Sequence, residues 1–290
     1  MTHRIETLHR GAVGALFDVA CRAGRSERGA EELAAAHEIV FPRRGVFCRH
    51  FDSRRDAVAD PNHVLFFRRG EPYSVSHPAD GGDDCTVIAL SRSAASEIAS
   101  ARDPRAGERP DAPFPASAAP SGPRLHLAQS RLVRAARRGD DPLAIEERLL
   151  ATATLAFAAA GDRDPKGARR RRRHVRESTR RAHRDLAFAV KALLASRFRE
   201  RLSLADVAWA VHSSPFHLAR VFRRETGSSI HRYLDRIRLR AALERLAHGE
   251  RDLASLALDM GYATHGHFTE RFRREFGLPP SAYRREALPS

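Results

Sequence analysis

Apolar positions come in short alternating runs in the first third of the chain and recur every three to four residues over much of the rest. His37-Glu-Ile-Val-Phe41, Gly45 to Phe51, His63-Val-Leu-Phe-Phe67, Tyr73 to His77 and Cys85 to Leu90 are rich in β-branched and aromatic residues. Pro42, Asp60-Pro61-Asn62, Gly70-Glu-Pro72 and Asp80-Gly-Gly-Asp83 separate them. Short strands divided by turn formers predict a small sandwich or barrel over residues 30–91. Ser93 to Ala101 reads as a short helix. Residues 104–123 hold six prolines and read as an irregular loop. Helical periodicity follows over 124–138. A second helix starts at Asp141-Pro142, with Asp as N-cap and Pro at the first helical position. It runs to about Ala160 with Ile145, Leu149, Thr152 and Ala156 on one stripe. This pair serves either as a dimer interface or as a cover for the open face of the β domain.

The last third carries a repeat. Ser214-Pro-Phe-His-Leu-Ala-Arg-Val-Phe-Arg-Arg-Glu-Thr-Gly227 aligns with Thr264-His-Gly-His-Phe-Thr-Glu-Arg-Phe-Arg-Arg-Glu-Phe-Gly277 at an offset of 50. Each copy opens on a hydroxyl residue and closes on Gly, the signature of a capped helix. A shorter helix precedes each copy. Ser203 to Val211 has a capping-box start with Asp206 in third position, and Asp252 to Asp259 is its counterpart. Tight turns at His212-Ser213 and Met260-Gly-Tyr-Ala263 join the pairs. Short helix, turn and longer helix make two helix-turn-helix units. A long helix from Ile230 to about Ala247, ending at Gly249, connects them.

In each second helix Leu218, Val221 and Phe222, or Phe268 and Phe272, form the docking face. The other face is polar and fits a DNA major groove. In the first unit the candidate DNA-binding residues are Ser214, Phe216, His217, Ala219, Arg220, Arg223 and Arg224. In the second they are Thr264, His265, Gly266, His267, Thr269, Glu270, Arg273 and Arg274. An Arg-rich face can also simply be solvated. Glu270 either accepts from a cytosine amine or pairs with Arg274 one turn on.

Charge strengthens the nucleic-acid reading. The 290 residues carry a net charge of +15, nearly all of the positive part from Arg. Residues 1–161 contribute +1, 162–184 contribute +8, and 185–290 contribute +6. The polyanion signal therefore lies in the linker and the last third. The unbroken run Arg169 to Arg173 reads as a solvated tether that also attracts phosphate. No apolar run is long enough to span a membrane, and the N-terminus lacks the apolar core of a signal peptide, so a cytoplasmic protein without a membrane partner is expected.

Residues 185–286 closely resemble the AraC/XylS-type DNA-binding domain. The resemblance rests on Leu204-Ala-Asp-Val-Ala208, Ser214 to Phe222, Ala257-Leu-Asp-Met-Gly-Tyr262, His267-Phe-Thr-Glu-Arg-Phe272 and Gly277-Leu-Pro-Pro-Ser-Ala-Tyr-Arg284. It implies a seven-helix domain reading two successive major-groove segments, with its recognition helices about 34 Å apart. Phe41-Pro-Arg-Arg-Gly45, Ala59 to Val64 and Gly70-Glu-Pro-Tyr73 resemble the family's cupin-like sensor and dimerisation domain. Together these give an α+β chain. Residues 1–160 form a cupin-like β-barrel with accessory helices, 161–184 a basic linker, and 185–290 the all-α domain with two helix-turn-helix units. The expected protein is a transcriptional activator, a homodimer with RNA polymerase and a small-molecule effector among its partners.

The rival reading is an enzyme, either a cupin-type metalloenzyme or a DNA-repair protein carrying such a domain. Cys21, Cys48 and Cys85 are widely spaced, with no CxxC, and Cys48 and Cys85 sit in strand patterns and read as core thiols. No H-x-H pair occurs near His77, and a metal site built from His37, His63 and His77 is disfavoured. No cofactor, metal or catalytic residue is expected.

Overall fold

The computed structural model describes residues 2–51, 56–161 and 177–287. The basic run Arg169 to Arg173 lies outside these residues. The N-terminal half is built on an antiparallel sheet ordered β1-β2-β9-β4-β7-β10. Its strands are β1 Thr2–Arg10, β2 Gly14–Arg22, β4 His37–Gly45, β7 His63–Phe67, β9 Asp83–Leu90 and β10 Ala118–Pro120. A smaller antiparallel sheet has the order β3-β8-β5-β6, from β3 Glu32–Leu33, β5 Phe47–His50, β6 Asp56–Ala59 and β8 Pro72–Ser76.

Strand alternation explains the layering. Ile39 and Phe41 of β4, Val64 and Phe66 of β7, and Ile88 and Leu90 of β9 point to one face. Val40, Leu65, Phe67 and Cys85 point to the other, where Phe47 and Ala59 of the small sheet meet them. A period of two thus buries both faces of the central strands. On the first face lie α1 Arg92–Ser100, α2 Pro123–Arg138 and α3 Pro142–Gly161. Leu125, Leu132, Ile145, Leu149, Ala156 and Phe157 join that core. The helical pair is therefore the cover of the sheet.

Two expectations change, and one hairpin lies outside the stretch read as strands. Neither sheet closes on itself among the described residues, so the expected barrel is replaced by two open sheets. Pro42 does not end its strand. β4 runs through it, and the pairing with β9 slips between Pro42 and Arg44. A bulge there absorbs the missing N–H. The hairpin β1–β2 carries no clear apolar alternation, because β1 is an edge strand with mostly exposed residues.

The C-terminal half has seven helices among the described residues. They are α4 Glu177–Ser196, α5 Leu204–Ala210, α6 Pro215–Thr226, α7 Ile230–Ala247, α8 Leu253–Asp259, α9 His265–Phe276 and α10 Pro280–Ala287. α4 begins ahead of residue 185, inside the stretch read as a linker. No helix of the described residues is long and apolar enough to cross a membrane.

Candidate nucleic-acid interface

Each unit is set by local chemistry. The Ser203 hydroxyl accepts from the Asp206 amide at 3.1 Å, and the Asp206 carboxylate accepts from the Ser203 amide at 2.8 Å. This closes the capping box of α5. The Ser214 hydroxyl caps α6 by accepting from the His217 amide at 3.3 Å. Thr264 caps α9 in the same way, accepting from His267 at 3.2 Å. Each cap contributes about 1 kcal/mol to its helix. Both helices stop at glycines in the left-handed region, Gly227 at φ 72° and Gly277 at φ 81°.

The bridging helix α7 belongs to both units. Its first half gives Tyr233, Leu234 and Ile237 to a core with Val207, Leu218 and Phe222. Its second half gives Leu239, Leu243 and Leu246 to a core with Leu256, Phe268 and Phe272. Asp235, buried on α7, accepts from the Tyr262 hydroxyl at 2.7 Å and from Arg271 Nε at 2.9 Å. One helix thus fixes the turn of the second unit and the helix that follows it.

Most of the candidate DNA-binding residues lie on the outward faces. In the first unit Phe216 is 91% exposed, and Arg220, Arg223 and Arg224 are exposed beside half-buried Ala219. In the second, His265, Gly266, Glu270, Arg273 and Arg274 are exposed and Thr269 is half-buried. Ser214 and Thr264 engage their hydroxyls in capping. The His217 ring lies 5.7 Å from that of His183 on α4, and His267 meets Tyr262 edge-on at 5.5 Å. Glu270 makes no ion pair with Arg274 among the described residues. A Cβ on Gly266 would meet nothing within 4 Å. Protein packing therefore does not require this glycine. A further exposed aromatic, Trp209 on α5, is 82% exposed and was not among the expected site residues. The signal that could have found it is its place on the polar side of the first short helix.

The two halves of the protein are joined through buried polar contacts. The Arg240 guanidinium of α7 donates to the Pro61 carbonyl at 2.7 Å, and also to Asn62 Oδ1 and the Ser121 carbonyl. Burial pushes Arg240 down to about 10. Arg43 of β4 pairs with Asp18 of β2 and with Glu244 of α7. Ser130 of α2 bonds the Tyr283 hydroxyl of α10 at 2.7 Å.

A family model described as a helix-turn-helix domain matches residues 207–286. The regulatory protein SoxS of Salmonella typhimurium is 36% identical over 83 residues, 29% of this chain and 78% of that protein. The chain belongs to the AraC/XylS-type transcriptional regulators. The regulatory protein PocR of Salmonella typhimurium is 32% identical over 85 residues, 29% of this chain and 28% of PocR. The bifunctional transcriptional activator/DNA repair enzyme AdaA of Bacillus subtilis is 29% identical over 87 residues, 30% of this chain and 41% of AdaA. The matched segment thus spans less than half of the length of these last two relatives.

Proposed function

We propose that the protein is a sequence-specific transcriptional activator that reads two successive major-groove segments. One observation carries this reading. Two capped helices present exposed polar faces from opposite halves of one bridging helix. α6 offers Arg220 for a guanine edge, and α9 offers Thr269 and Glu270 for the second segment. The first turns leave the Phe216 amide of α6 and the His265 and Gly266 amides of α9 for phosphate. In this reading residues 185–290 bind DNA and residues 1–160 form the sensor and dimerisation half.

The same reading supplies the partners. The exposed edge strand β1, with Ile5 66% exposed, supports pairing of two N-terminal halves. A cleft of about 280 Å³ between the halves is lined by Arg22, Arg43, Arg137, Arg199, Asp18 and Glu244, among others. That excess of cations supports an anionic small-molecule effector. RNA polymerase is the partner that activation requires.

Footprinting of the full chain on genomic fragments at rising salt tests the proposal. Protection of two segments on one DNA face that persists at high salt is the expected result. Uniform protection that fades with salt marks non-specific binding and overturns it.

A further inference from the structure

Three side chains far apart in sequence converge in the N-terminal half. Cys21 lies at the end of β2, and Asp83, at the start of β9, is its partner across the strands. His77 follows β8 and forms a bridge with Ser26. The turn before Asp83 closes tightly over Cys21. Gly82 sits at φ 70°, and a Cβ there would lie 2.0 Å from the Cys21 carbonyl oxygen. Glycine is therefore required for Asp83 to reach Cys21.

The cluster is buried. Cys21, His77 and Asp83 are 4%, 1% and 7% exposed. Cys21 Sγ lies 3.7 Å from His77 Nε2, and Asp83 Oδ1 lies 2.9 Å from the same nitrogen. The three donor atoms all fall within 4.8 Å of one another. Among the described residues no other group of His, Cys, Asp and Glu meets so closely.

This is not the geometry of a thiol–imidazole–carboxylate relay. A relay puts the thiol on one ring nitrogen and the acid on the other. Here both meet Nε2, and Nδ1 faces the Ser26 hydroxyl at 3.4 Å. A single N–H serves sulfur and carboxylate together only as a three-centre bond with a weak arm to sulfur, whereas a cation at their common point serves all three donors. Zinc bonds sulfur at about 2.3 Å and nitrogen at about 2.0 Å, so a tetrahedral site spaces the two donors about 3.5 Å apart. The observed 3.7 Å is close to this, and the 2.9 Å hydrogen bond between Asp83 Oδ1 and His77 Nε2 would open to about 3.3 Å around the ion. Ser26 holds the outer ring nitrogen, and the Cys85 thiol donates to Asp83 Oδ2 at 3.2 Å, the outer contacts that orient metal ligands.

We propose that Cys21, His77 and Asp83 bind a divalent cation of the zinc class. Burial, aided by Asp83, raises the Cys21 thiol to about 11, so it stays protonated without a cation. Binding displaces that proton to solvent and leaves a thiolate, a carboxylate and a neutral imidazole on the ion. The ion ties the end of β2 to the start of β9. Ala20, Arg22 and Asp84, the neighbours of two ligands, line the cleft facing the C-terminal half. Occupancy therefore acts on the strand ends that meet that half. The inference does not depend on the DNA-binding proposal.

The test uses the untagged full chain, stripped by a chelator and titrated with Co²⁺. One equivalent should bind and produce a thiolate-to-cobalt charge-transfer band, which one equivalent of zinc removes. Cys21→Ser should abolish the band, Asp83→Asn should weaken binding at least tenfold, and Cys48→Ser should leave both unchanged. Far-UV circular dichroism checks that the variants fold. The wild-type spectrum decides even if one does not. Cobalt binding without a charge-transfer band, or a band that survives Cys21→Ser, overturns the proposal.

Discussion

The Tyr233 hydroxyl of α7 donates to the Asp60 carboxylate at 2.5 Å, joining the helix between the two helix-turn-helix units to a turn of the N-terminal half. Asp60 is fully buried and also accepts from the Asn62 amide at 2.8 Å, with His63 Nδ1 at 2.9 Å. Tyr233→Phe removes one of these partners and leaves the carboxylate short of a donor. Stability of the full chain should fall by about 1–3 kcal/mol. Chemical denaturation measures it, and an unchanged midpoint would show that the contact is dispensable.

Acid should weaken the joint between the halves. Burial, reinforced by Lys191, lowers His63 below its ordinary 6.5. Burial, with Arg240 and Arg43, lowers His126 well below it. Both rings stay neutral in the folded protein while the unfolded chain takes up protons, so stability is lost as pH falls from about 6.5. Burial alone would raise Asp60, but His63, Lys191 and Tyr233 outweigh it and hold the carboxyl below 3.8. Its contribution persists until lower pH, where protonation removes it. Melting temperature should therefore decline between pH 7 and 5.5. A flat or rising curve would contradict the assignment of neutral imidazoles.

Arg220 stands exposed on α6, within two turns of its Ser214 cap. Arg220→Ala should cost about 1–3 kcal/mol of operator binding and relax preference at one base pair. Binding-site selection measures this. An unchanged preference would place a different face of α6 toward DNA.

Glu270 has two readings in the sequence, and the structure leaves it unpaired with Arg274 among the described residues. Glu270→Ala should shift the preferred bases in the second segment. Thermal stability should move by no more than a few tenths of a kcal/mol. Loss of stability with unchanged base preference would reverse that assignment.

Gly266 tests whether close approach to DNA governs α9. Alanine there meets no neighbour and improves the helix. Gly266→Ala, in the first turn of α9, should stabilise the protein by less than the roughly 1 kcal/mol of a mid-helix glycine and weaken operator binding. Improved stability with undiminished binding would leave the glycine without a role at the interface.

The sequence by itself determined the helix-turn-helix units. Their hydroxyl caps, glycine stops and apolar faces act within a few residues, so α6 and α9 follow the repeat closely. The long helix from Ile230 to Ala247 was legible for the same reason. Local signals also marked β7 and β9, where alternation serves two buried faces. They could not show that α2 and α3 cover a sheet, nor that the sheet stays open, because both depend on which strands become neighbours. Only tertiary structure buried Arg240 against loops more than a hundred residues away in sequence. It alone brought His77 to Cys21 and Asp83, since their meeting depends on the β2–β9 register and a glycine turn. Caps and periodicity are settled by bonds along one helix or strand, whereas convergent sites arise only once separate strands have packed.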